Sequence, residues 1–338
     1  MTMFAARSRR LAAVVGAALT AVVAAAGLAA CSSGEDQKTI KLVAYSVPKP
    51  AYDALGAAFA KTSAGKNTTV KGSYGPSGSQ SKAVLGGQKA DYVAFSVEPD
   101  LTKLVPSKVD AGWNSGPTKG LVSDSVVAIV VRKGNPKHIT GWADLIKPGV
   151  KIVTPDPASS GSAKWNILAA YSHVLSQGGT EADAKTYLTN FFKHVVSRAS
   201  SGAVATTQFT SGTGDALISY ENEAISTRAK GAAIDYVVPD QSFLIENPAA
   251  VTKNAPKVAK QFLSFVESEQ GQEIFASHGF RPVLPGAKIG TVKGANDPSN
   301  PFPKVKQLTT IADLGGWKVV NDKFFGDNGI VTKIEAST

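Results

Sequence analysis

From residue 39 to residue 268, short apolar runs alternate with stretches of helical spacing, and this alternation restricts the chain to an α/β fold. Thr39–Ala44, Asn67–Ser73, Tyr92–Phe95, Ser125–Val131, Gly149–Thr154 and Ile234–Val238 read as strands. Residues 50–63, Ser81–Leu85, Ala163–Leu175, Tyr187–Phe192 and Pro256–Ser268 read as helices. Ala216–Tyr220 reads as the start of a helix that continues through Ile225. Residues 285–304 are rich in Gly, Pro and Asn and read as a surface connection, followed by a partly helical tail. No Pro-, Ser- or charge-rich linker divides the chain into two beads. Two lobes joined by several crossings fit better, with a ligand between them at the carboxyl ends of the strands.

The first thirty residues do not belong to this pattern. Arg7, Arg9 and Arg10 precede a run from Leu11 to Ala30 made of apolar or small residues. This is the charge and hydropathy pattern of an export signal. The run ends Leu28-Ala29-Ala30-Cys31, at the chain's only cysteine, and resembles a bacterial lipobox. Residues 1–30 are therefore expected to be a lipoprotein signal peptide. Lipid on Cys31 would hold the mature protein to the outer face of the cell membrane, with residues 31–38 as a polar tether. A diacylglyceryl group anchors stably where one acyl chain does not. A lone cysteine leaves no internal disulfide, so the core alone must stabilise the fold. The net charge of +10 falls to about +7 without the three leader arginines. The lysines are scattered rather than clustered, which argues against nucleic acid as a partner.

Three strand-to-helix turns share a composition: Gly75-Pro76-Ser77-Gly78-Ser79, Ser159-Ser160-Gly161-Ser162 and Ser200-Ser201-Gly202-Ala203. Each is small, bears hydroxyls and lacks acid. The first two precede a helix by the pattern; the third has a weaker helical signal. Helix starts leave backbone N–H groups unpaired and carry partial positive charge. Glycine lets an anion approach the backbone, and serine adds an O–H donor. Turns of this kind facing one point would hold an anion without a fixed cation, although serine also serves as an ordinary N-cap.

Enzymatic readings have thinner support. Gly75–Ser79 misses the nucleophile elbow at its last position. Ser79-Gln80-Ser81-Lys82 matches S-x-x-K, but no K-T-G or S-D-N accompanies it. A serine acyl-transfer enzyme using Ser79 and Lys82 is the distant alternative. His138, His173, His194 and His278 lie far apart, outside any metal-ligand spacing, so no metal or cofactor is expected. Glu221 and Glu223, two apart on a helix, would not share a face. No phosphate-loop motif is present, so nucleotide hydrolysis would fall to other chains.

Several stretches together resemble the sulfate/thiosulfate-binding proteins of bacterial ABC importers. They include Arg132-Lys133-Gly134-Asn135-Pro136-Lys137, Trp142, Asp144–Val150, Thr154-Pro155-Asp156-Pro157 and Ser159-Ser160-Gly161. Trp165-Asn166, Ser201-Gly202-Ala203, Gly214-Asp215 and Tyr220-Glu221-Asn222-Glu223-Ala224 continue the likeness. Gly271-Gln272-Glu273, Arg281-Pro282 and Gly315-Gly316-Trp317 complete it, in order from about residue 40 to the end. The resemblance implies a two-lobed type II periplasmic-binding-protein fold. Residues 39–123 plus about 239–284 would form lobe one and residues 124–238 lobe two. Residues 285–338 are a C-terminal segment assigned to neither. It also implies a monomeric binding subunit that hands sulfate to a permease driven by a separate ATPase.

By position, the resemblance assigns contacts to Ser46 through its N–H and to Ser77 through N–H and hydroxyl. In lobe two it assigns them to Gly161, Ser162 and Ala203 through N–H, and to Tyr220. Tyr220 replaces the family's indole donor, Ser46 an aspartate, Ser162 a glycine and Ser79 a lysine. Sulfate at neutral pH only accepts hydrogen bonds, whereas phosphate carries a proton that needs an acceptor. Turns free of Asp and Glu therefore favour sulfate, with an unsatisfied buried group costing ~1–3 kcal/mol. Thiosulfate and molybdate pass the same test and remain alternatives.

Overall fold

The computed structural model describes residues 38–337. The leader, Cys31 and the tether up to Gln37 lie outside the described residues; Lys38 is already the first residue of a strand. In chain order the first elements are β1 (Lys38–Tyr45), α1 (Lys49–Phe59), β2 (Thr68–Gly75), α2 (Ser77–Leu85), β3 (Tyr92–Ala94) and α3 (Glu98–Thr102). Next come β4 (Leu121–Arg132), α4 (Trp142–Leu145), β5 (Ile152–Pro155), α5 (Gly161–Ser176), α6 (Glu181–His194) and β6 (Val195–Ala199). Then follow α7 (Gly202–Thr210), β7 (Ala216–Tyr220), α8 (Glu221–Ala229), β8 (Ile234–Val237) and β9 (Gln241–Val251). The last are α9 (Lys257–Val266), α10 (Glu269–Ser277), β10 (Gln307–Thr309), α11 (Gly316–Val320), a π-turn at Asn321–Phe325 and α12 (Ile330–Glu335).

The strands form one curled sheet in the order β2-β1-β3-β9-β4-β7-β5-β6, with β10 added to β9 and β8 to β4. β1, β2 and β3 are mutually parallel, as are β7, β5 and β6. Between these two parallel halves run β4 and β9, antiparallel to each other, to β3 and to β7, while the short β10 is parallel to β9. Each changes partner along its length. β4 pairs with β9 from Leu121 to Val126, then with β7 from Val127 to Val131. β9 pairs with β10, then with β4, then with β3 from Ala249 to Val251. These two strands carry the chain from one half to the other, giving the two-lobed architecture of periplasmic binding proteins.

Two expectations need correction. Ala216–Tyr220 is a strand, not the beginning of a helix; the helix starts at Glu221. All five of these residues are buried because β7 is covered on both faces: Ala216, Ile218 and Tyr220 join the large core with α5, and Leu217 joins the cluster around Phe209 of α7. A short apolar run buried on both faces has no periodicity that separates strand from helix. Secondly, α2 begins at Ser77 rather than Ser81. Pro76, in extended backbone (φ −58°, ψ 134°), ends the strand and lets the turn itself become the first helical turn.

The core has three parts. The largest covers one face of both halves, under α1, α5, α6, α9, α10 and the C-terminal helices, and includes Tyr52, Phe59, Trp165, Phe191, Phe243 and Phe262. Smaller clusters fill the opposite faces, one around Val43, Phe95 and Leu101, the other around Val153, Phe209 and Leu217. Each fully buried side chain of this size contributes about 1.5–3 kcal/mol. The C-terminal segment packs on the second half: Trp317 meets Trp165 at 4.9 Å, Phe324 meets Tyr171 at 4.8 Å, and Val292 and Ala295 join the cluster around Phe209.

Candidate functional site

Every residue expected to contact a ligand lies at or just before a helix start. Ser77 is the first residue of α2, Gly161 and Ser162 open α5, Ala203 is the second residue of α7, and Tyr220 is the N-cap of α8. Ser46 lies two residues before Pro48, the N-cap of α1. The first turns of α1, α2, α5 and α7 contain no acid. Among the described residues, the N–H groups of Ser46, Ser77, Gly161, Ser162 and Ala203 donate to no protein acceptor. The third turn does lead into a helix, α7, whose N-cap Ser201 hydroxyl accepts from Val204 N–H at 3.3 Å.

Contacts between the halves bring these starts together. Gly78 N–H donates to the Ser159 carbonyl at 3.2 Å, joining the first and second turns. Ser96, just after β3, bridges the most elements. Its N–H donates to Ser77 Oγ at 3.0 Å, its hydroxyl bonds the Tyr220 hydroxyl at 2.6 Å, and its carbonyl accepts from Trp165 Nε1 at 2.8 Å. Gly161 packs so closely on Ser96 that a Cβ there would stand 2.6 Å from Ser96 Oγ. A Cβ on Gly202 would stand 3.0 Å from Ser162 Oγ, 3.1 Å from Val47 Cγ2 and 3.3 Å from Glu223 Oε2. This last point joins the second turn, the third turn and the segment beside Ser46.

The hydroxyls divide into committed and free. Ser77 Oγ donates to Asp100 Oδ2 at 2.7 Å, so in this arrangement its hydroxyl serves the protein. Asp100 also accepts from Lys103 Nζ at 3.0 Å. Ser160, the N-cap of α5, makes no capping bond with its side chain. Tyr220 is fully buried and bonds Ser96 and Ser162, and burial raises its pKa well above that of a free phenol. It therefore stays a neutral O–H.

Three residues of this region were not legible as site residues: Ser96, Asp100 and Glu223. Glu223 turns inward beside α7 and accepts from Ser219 Oγ at 2.8 Å. Burial pushes its carboxyl pKa up, against the pull of Ser219 and Thr206. The turns themselves are free of acid, but the fold places two acids behind them, and Asp100 has its oxygens occupied by protein donors. Ser79 and Lys82 are both exposed on α2 and share no hydrogen bond. No cluster of three or more metal-ligating side chains occurs among the described residues.

The family described as bacterial extracellular solute-binding protein matches residues 40–281. The chain belongs to that family. The solute-binding proteins similar to it include a sulfate-binding protein of Synechococcus elongatus, 38% identical, with 96% of this chain and 95% of that one covered. A thiosulfate-binding protein of Pseudomonas aeruginosa is 31% identical, with 93% and 97% covered. Among solved structures, the sulfate-binding protein SubI from Mycobacterium tuberculosis H37Rv is 44% identical with a TM-score of 0.79, covering 85% of this chain and 99% of that one. No helix among the described residues is long and apolar enough to cross a membrane.

Proposed function

We propose that this protein is the sulfate-binding subunit of an ABC importer. The observation that supports the reading is that acid-free helix starts with unpaired N–H groups lie next to one another where the two halves of a solute-binding fold touch, through Gly78 on Ser159, Gly161 on Ser96 and Gly202 on Ser162 and Val47. Ser46, Ser77, Gly161, Ser162 and Ala203 donate through N–H and Tyr220 through its phenol. The Ser160 hydroxyl, spent on no cap, adds a donor, while Ser77 contributes its N–H. Several charge-assisted hydrogen bonds of ~1.5–3 kcal/mol each hold the dianion without a cation. Two lobes, residues 39–123 plus about 239–284 and residues 124–238, close over it by bending β4 and β9. Residues 285–338 would move with the second lobe, a reading supported by Trp317 on Trp165 and Phe324 on Tyr171, while β10 stays paired with β9.

The protein then passes the ion to a permease, with ATP hydrolysis on another chain, and acts as a monomer without covalent chemistry. Residues 1–30 direct export, and lipid on Cys31 keeps the protein beside its permease at high local concentration. Isothermal titration decides the ligand: sulfate should give saturable heat, and thiosulfate or molybdate should compete more weakly. No heat with sulfate and tight binding of another anion would sink the assignment. A Cys31→Ala form should leave the membrane fraction yet bind normally. A covalent β-lactam probe should leave Ser79 unlabelled.

A further inference from the structure

Two hydroxyls meet where the halves touch, and the direction of the bond between them matters to a ligand. Ser96 follows β3 in the first half and Tyr220 ends β7 in the second; their oxygens stand 2.6 Å apart. Both side chains are buried. Each hydroxyl has one proton to place and lone pairs that accept. The bond can therefore run from Ser96 to the phenol or from the phenol to Ser96. If the phenol donates to Ser96, a lone pair faces the site, and a dianion is repelled. If Ser96 donates, the phenol keeps its proton for the site.

The partners of Ser96 decide between the two. Its backbone is held on both sides: the N–H donates to Ser77 Oγ at 3.0 Å, and the carbonyl accepts from Trp165 Nε1 at 2.8 Å and Asn247 Nδ2 at 3.1 Å. Ser77 Oγ is fixed in turn by donating to Asp100 Oδ2 at 2.7 Å. The side chain of Ser96 is thus presented to one place. Among the described residues, the Tyr220 hydroxyl is the only hydrogen-bond partner of Ser96 Oγ. Were Tyr220 the donor, the Ser96 proton would be buried with no acceptor, which is costly. With Ser96 as donor every proton is placed, because Tyr220 has a second partner in Ser162 Oγ, in the first turn of α5.

We propose that Ser96 is a positioning residue for the anion: when the halves meet, its hydroxyl donates to the Tyr220 phenol and turns the phenol proton toward the ligand. Without an anion that proton rests on Ser162 Oγ; a dianion is the stronger acceptor and takes it over. A phenol that accepts a hydrogen bond is also a better donor, because successive bonds polarise one another. Ser96 itself touches no ligand and acts through Tyr220. Since the two residues belong to different halves, the phenol is aimed only in the closed arrangement, which ties full-strength binding to closure.

The inference rests on the sulfate reading and is tested by a double-mutant cycle. Wild type, Ser96→Ala, Tyr220→Phe and the double variant are each titrated with sulfate by calorimetry. Tyr220→Phe should weaken binding about 10- to 100-fold, the loss of one charge-assisted hydrogen bond. Ser96→Ala should weaken it about three- to tenfold, a fraction of that bond. In the Tyr220→Phe background, Ser96→Ala should change affinity by less than about twofold, since no phenol proton is left to aim. A structural role for Ser96, or a direct contact with the anion, costs the same in both backgrounds, and that result would overturn the proposal. So would a Ser96→Ala protein that binds sulfate as the wild type does. If Tyr220→Phe does not fold, Ser96→Cys decides: its thiol is still a weak donor and should recover part of the affinity lost in Ser96→Ala, and equal losses overturn the proposal. Wild-type protein that gives no heat with sulfate removes the sulfate reading itself, and the inference with it.

Discussion

Helices α5 and α6 pack side by side, yet their starts are built in opposite ways. α6 is sealed by its own residues. Thr180 Oγ1 accepts from Asp183 N–H at 3.2 Å, and Asp183 Oδ2 accepts from Thr180 N–H at 2.8 Å and from its hydroxyl at 2.6 Å. Glu181, also in the first turn, pairs with Lys323. α5 has neither feature: its N-cap serine caps nothing, and its first turn has no acid. One start spends its dipole on the fold and the other keeps it for something outside the chain. Both are marked by serine or threonine in the sequence, so the presence of a cap residue does not reveal which use applies. The acid three residues after the cap distinguishes them.

Closing the open start should cost the most. Ser162→Asp places a carboxylate on the α5 dipole. Sulfate affinity should fall about a thousandfold, ~4 kcal/mol, while the thermal midpoint rises slightly. A titration of this variant that matches the wild type would erase the distinction between the two starts.

The middle of the α5–α6 contact gives the next effect. His173 stacks on Trp142 at 5.7 Å and meets Tyr187 edge-on at 4.2 Å. Its Nδ1 bonds the Ala170 carbonyl at 2.7 Å, and burial lowers its pKa from 6.5 to about 4. The fold therefore favours the neutral ring. That stability is complete above pH 6.5 and lost as pH falls toward 4, by up to about 3 kcal/mol. Denaturant melts across this window should show the loss, and His173→Phe should flatten it without changing sulfate affinity at neutral pH.

Gly161→Ala tests the closeness of the open start to Ser96. The added methyl clashes across the closed contact but not when the halves are apart. Sulfate affinity should drop about 10- to 100-fold, ~1.4–2.7 kcal/mol, with little change in the melting of the unliganded protein. The smallest effect belongs to the sealed start. Thr180→Ala should lower stability by ~1 kcal/mol in chemical denaturation and leave the sulfate titration unchanged.

Legibility in the sequence followed the range of the interactions. β1, β2 and β8 announced themselves because alternation and flanking turns are local signals. The three small turns were visible for the same reason. β9 was not read as a strand, although its partner exchange joins the two halves. Its buried residues include Ser242, Asn247 and Pro248, which speak against a central strand, and Pro248 is tolerated beside the irregular pairing at Leu121. Of the site residues, those at helix starts could be found from composition. Ser96 and Asp100 could not, since they reach the site through contacts with Ser77, 19 and 23 residues away, and Tyr220, 124 residues away. Glu223 read only as one of two carboxylates on different faces of a helix, because nothing local says that α8 turns this side chain toward α7.

The bond from Trp165 Nε1 to the Ser96 carbonyl gives the molecule an optical signal of its own. The chain has four tryptophans, and this indole spans the two halves while standing edge-on to Trp317 at 4.9 Å. Parting the halves removes the carbonyl from the ring nitrogen and lets water reach it, and the exposure to water reddens indole emission. The chirally fixed indole pair should also give a near-ultraviolet dichroic band sensitive to the same movement. The open and closed populations can therefore be followed by light in the unlabelled protein, on the time scale of a stopped-flow mixer.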